Sequence, residues 1–269
     1  MKAIKTIVAS ALALSLTAVA FADQKGKDII QQVLDVEDPS FSQTAVVMTL
    51  TEKNGSTDIR NVKQYGRTAN GLKAIVMDFV GPGSSKVKGT RFLLQENGNG
   101  KDDDKFIYMP DLKSTRRVST ADGSKAFVGT DASYDDLSTR DIDKDEHTFI
   151  GEEKKTVNGT TYDCWVVSSK SKNANDTQYG EKKQWIYKDQ LIPVYAELYD
   201  KKGQLLKVLE VLKLQDVTGA TGKVYHTPMT ASMKNVQTGH STKLEIKQIV
   251  LDKQLPSKVF TQNFLSTGK

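Results

Sequence analysis

Hydrophobic and polar positions change their period along the chain, and each change marks a different kind of element. An unbroken apolar run from Ile7 to Ala20 follows Lys2 and Lys5 and closes on Ala20-Phe21-Ala22, just before Asp23. A basic start, a short apolar stretch and small residues flanking the last aromatic are the pattern of a secretory signal peptide, and the run is shorter than the ~20 residues of a spanning helix. Residues 1–22 are expected to be removed after Ala22, leaving residues 23–269 as one exported domain with no membrane span. Next, Ile29, Ile30, Val33 and Leu34 recur at helical spacing among polar neighbours, predicting an amphipathic helix that ends near Asp38-Pro39.

From residue 44 onward the period is two. Thr44-Ala45-Val46-Val47-Met48-Thr49-Leu50 reads as a strand, Asn54-Gly55 as a tight turn and Ile59–Lys63 as the returning strand. The same grammar predicts strands over 72–79, 90–95, 106–109, 115–119, 149–157, 161–168, 183–187, 194–199, 205–214, 229–235 and 244–251. Turn residues such as Gly81-Pro82-Gly83, Asn158-Gly159 and Asp200-Lys201-Lys202-Gly203 lie between them. Many short strands joined by hairpin loops behind one helix predict an antiparallel meander, not βαβ units. Two strands are apolar on both faces. In 205–214 one face carries Leu206, Val208, Leu212 and Leu214, while the other mixes Leu205, Leu209 and Val211 with Lys207 and Lys213. Such strands belong where both sheet faces are covered or where one lines an apolar cavity. The polar run 168–181 reads as a long exposed loop. Residues 119–145, with Phe127, Val128, Tyr134 and Leu137 among many aspartates, read as a surface excursion or a flap.

Charge narrows the partners. Loss of Lys2 and Lys5 with the leader lowers the formal charge from +5 to +3, and the remaining charges are interspersed, so nothing here forms a nucleic-acid stripe. Cys164 is the one cysteine, so an exported chain of this size depends on its core and not on internal disulfides.

Candidate chemistry is sparse. His147, His226 and His240 lack the spacing and cysteine company of a zinc site, and no G-x-S-x-G elbow is present. Asp141, Asp143, Asp145 and Glu152 match several positions of a calcium loop, but Glu146 stands where the sharp turn needs glycine, so a solvated acidic loop is the better reading. Cys164 reads as a buried, inert thiol. No cofactor, metal or enzymatic activity is expected; a hydrolase built on the acidic cluster beside His147 is the enzymatic alternative.

One segment is more specific. Phe106-Ile107-Tyr108-Met109-Pro110-Asp111-Leu112, Arg116-Arg117 and Gly129-Thr130-Asp131-Ala132-Ser133-Tyr134-Asp135-Asp136-Leu137 together resemble the signature of the periplasmic outer-membrane lipoprotein-sorting (LolA-like) family. The match is to the branch with a Tyr-x-Pro-x-Leu, Arg-Arg and Gly-Thr-Asp-x-Ser-Tyr-x-Asp-Leu pattern, and it extends in order over nearly the whole mature chain. The resemblance implies a mainly β fold with few helices: a curved antiparallel sheet, an incomplete β-barrel, with helices on its concave side around an apolar cavity. It also implies a periplasmic carrier that shields the acyl chains of a lipid or lipoprotein, with an ABC- or RND-type exporter as inner-membrane partner. An envelope sensor or accessory subunit that binds lipid or protein without shuttling it is the alternative. Val46, Met48, Leu50, Ile75, Met77 and Phe79, with Leu206 and Val208, are expected to line the cavity, although lining and plain core read alike in sequence. Arg116 or Arg117 is expected to turn inward and meet Asp131, Asp135 or Asp136, with Tyr134 alongside, holding the excursion as a lid.

Overall fold

The computed structural model describes residues 23–83, 86–98 and 100–269, so the expected leader and its cleavage point lie outside the described residues. Among them, thirteen strands belong to an antiparallel sheet, and no helix is long and apolar enough to cross a membrane. Two compact units divide the chain: residues up to Val36 with Asp141–Gln204, and Glu37–Arg140 with Leu205–Lys269.

In the smaller unit, β7 (Asp145–Val157), β8 (Thr160–Ser171), β9 (Tyr179–Tyr187) and β10 (Ile192–Asp200) pair in sequence order. Asn158 and Gly159, both at positive φ, make the tight β7–β8 turn, as that dipeptide predicts. The amphipathic helix α1 (residues 23–34) buries Ile29 and Ile30 on Val167 and Ile186. Half of the polar run 168–181 is strand, and the loop is confined to residues 172–178. Its polar side chains find partners across the sheet, Ser168 donating to Glu181 and Ser169 meeting His147, so the missing apolar alternation did not mean missing pairing.

The larger unit runs β6 (Ser114–Arg117), β5 (Asp104–Met109), β4 (Arg91–Gln95), β3 (Leu72–Val80), β2 (Thr57–Ala69), β1 (Phe41–Thr51), β13 (Ser241–Leu251), β12 (Val224–Asn235) and β11 (Leu205–Thr218). Both faces of β2–β4 are covered. One face, with Ala74, Val76 and Leu93, takes the C-terminal segment: Val259, Phe260 and the short helix α2 (Gln262–Thr267), which contributes Phe264 and Leu265. Helix α2 is defined at both ends, Thr261 accepting the Phe264 N–H and Gly268 at positive φ returning its N–H to Phe264. Arg91 donates to the Leu265 carbonyl at 2.7 Å while its other nitrogen meets Asp78, fastening the segment to β3 and β4.

Candidate functional site

The opposite face of the same strands carries the expected apolar positions. Val46, Met48, Leu50, Met77 and Phe79 are buried in one cluster with Val62, Phe92, Leu94 and Phe127, and Ile75 packs at its margin. The covering layer is the 118–137 excursion, a series of short 3-10 turns rather than a helix. Phe127 is its anchor: its ring lies 5.0 Å from Phe92 and 6.1 Å from Phe79, and Tyr134 meets Phe127 edge-on at 5.5 Å. Burial, assisted by the nearby Asp122 charge, raises the Tyr134 hydroxyl pKa. Val128 holds φ 49°, a costly conformation for a β-branched residue, and its carbonyl accepts from Arg60.

The rim of this cover is polar. The buried Asp131 carboxylate accepts from Thr242 Oγ1 and lies against His240 Nδ1, each at 2.7 Å, while its own N–H donates to Thr242. Lys105 reaches Asp135 at 2.7 Å, and Lys207 stands 3.7 Å from Asp136. Arg60, Lys105 and Lys207 are all buried. The expected aspartates do hold the excursion, but through partners other than Arg116 and Arg117. Arg116 shares the face of Ile107 and Arg117 that of Phe106, both remain exposed, and Arg117 pairs with Asp104 at 2.7 Å. Strand β6 has four residues at the end of the strand order, too near the margin to bury a guanidinium beneath the excursion.

Antiparallel partners project to the same side, so the register carries this face onward from β1. Met48, Leu244, Ala231 and Val211 share it, as do Leu50, Thr242, Met233 and Leu209. Leu206 and Val208 consequently stand on the opposite face, and Lys207 takes their expected place under the excursion. The more apolar parity of β11 pointed to the wrong side because a buried, paired lysine looks in sequence like a solvent-facing one. Beyond the excursion the floor opens: Leu209, Ala231, Met233 and Ile246 are half-buried and Leu244 is 37% exposed. The result is an apolar strip that is closed over β1–β4, buried again at Val211 and exposed at Leu244.

Other candidate chemistry resolves into structural roles. His147 bridges Ser169 Oγ and the Ile142 carbonyl, and Asp141 accepts the Asp143 N–H at the start of a short turn. Burial pushes the Cys164 thiol up to about 11, far from a reactive thiolate. Among the described residues no three His, Cys, Asp or Glu side chains are placed to hold a metal ion.

This fold, an antiparallel sheet with short helices and a covered apolar face, is that of the LolA superfamily. A LolA superfamily protein from Nitrosomonas europaea superposes with a TM-score of 0.64 over 89% of this chain and 98% of its own, at 15% identity. A candidate outer membrane lipoprotein-sorting protein domain from Vibrio parahaemolyticus superposes with a TM-score of 0.80 at 28% identity, covering 91% of this chain and 99% of its own. A DUF1329 family protein from Desulfovibrio piger gives the same TM-score, 0.80, and the same coverage, 91% and 99%, at 25% identity. A family model described as an uncharacterized protein matches residues 73–267, and the chain belongs to that family. No curated protein matches.

Proposed function

We propose that the protein is a periplasmic, non-enzymatic carrier that binds the acyl chains of a lipid or lipoprotein on the strip beneath and beside the 118–137 excursion. The observation that carries this reading is the continuity of the apolar floor from the buried row Met48, Leu50 and Phe79 to the exposed Leu244 on the same side. An isolated core has no need to run out into solvent, whereas an acyl chain of about fifteen methylenes loses on the order of 12 kcal/mol if left in water, at ~0.8 kcal/mol per CH₂. The cover suits exchange because its rim is held by side-chain contacts, with Asp131, Asp135 and Asp136 as the attachment points. Release is then assigned to a membrane partner that favours the uncovered state, since a cargo held this tightly leaves slowly unaided. A lipoprotein-sorting relative and a LolA superfamily neighbour support the class of cargo.

The test is native mass spectrometry of residues 23–269 purified from periplasmic extract without detergent, with lipid analysis of the organic extract. A bound lipid of defined stoichiometry is expected, together with uptake of a fluorescent acyl probe that Leu244→Asp and Met233→Asp each weaken. A protein that stays empty and takes up no probe overturns the carrier reading and favours a sensor or accessory role.

A further inference from the structure

The topology of the larger unit brings four connections to one end of its sheet: residues 52–56 after β1, 81–83 and 86–90 after β3, 110–113 after β5 and 236–240 after β12. These connections touch one another. A Cβ added to Gly239 would lie 3.1 Å from the Lys53 side chain, and one added to Gly89 would lie 3.5 Å from Pro110. This end is rich in cations. Lys53, Lys86, Lys88, Lys113 and Lys234 are exposed on or beside the four connections, and among the described residues none of the five is engaged in an ion pair. The acids there are few: Glu52 and Asp111 are exposed, and Asp58 is already turned to Arg60 at 2.9 Å. Large aliphatic side chains stand among the lysines, with Leu112 53%, Ile59 50% and Val236 39% exposed. The opposite end differs. There Lys73 pairs with Asp38, Lys223 with Glu37 and Arg117 with Asp104, and Asp102 and Asp103 add negative charge.

We infer that the lysine-bearing end is a docking surface for an anionic bilayer. Each lysine brought near such a surface multiplies partitioning by about fivefold, and the effect fades within a Debye length of ~8 Å at physiological salt. Leu112, at the tip of a turn whose next residue, Lys113, holds φ 47°, is placed to enter the headgroup layer while neighbouring lysines keep their ammonium groups at the phosphates. A flat bilayer suits this layout better than a protein partner, because the aliphatic side chains are spread over two connections and the start of β2 rather than gathered on one element. The docked end also presents the 118–137 excursion to the membrane, since His240 of the 236–240 connection meets Asp131 and Arg60 near the start of β2 holds the Val128 carbonyl. The surface stands whether or not the apolar strip takes an acyl chain.

The test is sedimentation of residues 23–269 with vesicles of phosphatidylglycerol and phosphatidylcholine in equal parts, against vesicles of phosphatidylcholine alone. Binding to the anionic vesicles only, weakening as salt is raised, is expected. The triple variant K53Q/K88Q/K113Q should lose about a hundredfold in partitioning, from three lysines at about fivefold each. The control K101Q/K253Q/K258Q, which removes the same net charge from exposed lysines away from this end of the sheet, should keep it. Circular dichroism of each variant verifies folding, and retained acyl-probe uptake by K53Q/K88Q/K113Q separates this surface from the carrier site. Equal losses in the two triple variants reduce the effect to net charge and overturn the assignment. So does an absence of binding to anionic vesicles, which leaves an acidic protein as the partner of this end.

Discussion

The two faces of β2–β4 are both apolar and both covered, yet they are closed by different chemistry. On one, Val259, Phe260, Phe264 and Leu265 make an apolar seal, and Arg91 ties its end to the sheet from within. On the other, Phe127 and Tyr134 supply the apolar contact, but the perimeter consists of Asp131, Asp135 and Asp136 against Thr242, His240, Lys105 and Lys207. Apolar burial is non-directional and stabilises in proportion to area. Buried ion pairs return most of their Coulombic gain as desolvation, so they fix where a segment sits more than they hold it there. If that difference governs opening, the excursion should leave without unfolding the sheet while the C-terminal segment should not.

The largest effect is expected at the C-terminal segment. Leu265 is fully buried, and Leu265→Ala should lower unfolding free energy by about 3 kcal/mol, from lost transfer energy and the cavity left behind. Denaturant unfolding measures this, and acyl-probe uptake should not change. If uptake rises along with the loss of stability, the two covers are coupled and the contrast between them fails.

On the polar side, one carboxylate oxygen of Asp131 meets both Thr242 and His240, and Asp131→Ala removes both contacts. A cost of about 2 kcal/mol is expected, borne by the excursion alone. Native-state hydrogen exchange reads it: the amides of Phe127 and Thr130, bonded to Ala132 and Phe127, should exchange faster while those of the β1–β2 ladder stay as slow as before. Acceleration of both sets together would mean that the excursion opens only when the sheet unfolds.

How much of this was readable beforehand follows the same division. The thirteen strands and α1 were legible because each carries its own period and its own turn residues, with Asn158-Gly159 a clear instance. Val46, Met48, Leu50, Met77 and Phe79 were legible as one face for the same reason. The polar rim was not. Arg60, Lys105, Lys207, His240 and Thr242 come from four different strands and one connection, and nothing local distinguishes a buried, paired lysine from a solvated one. The Arg-Arg pair drew attention by its charge density, yet both residues lie on a marginal strand where an ion pair such as Arg117–Asp104 contributes little.

The smallest effect concerns Tyr134, which belongs to the apolar part of the excursion and carries a titratable hydroxyl into it. Burial raises its pKa, so the folded protein favours the neutral phenol over the phenolate. The contribution is therefore complete below the ordinary tyrosine pKa of about 10 and is lost as pH rises through the higher folded value. The excursion should loosen above about pH 10, seen as faster acyl-probe uptake, and Tyr134→Phe should remove that alkaline step while preserving the ring's contact with Phe127. Tyr65 offers the matching control on the other face: it too is raised chiefly by burial, and its ring meets Phe264 edge-on at 6.1 Å. Its ionisation should weaken the sheet against denaturant without changing uptake, because the segment it touches lies on the face away from the apolar strip. An alkaline uptake step that survives Tyr134→Phe but disappears in Tyr65→Phe would reverse the assignment of the two covers.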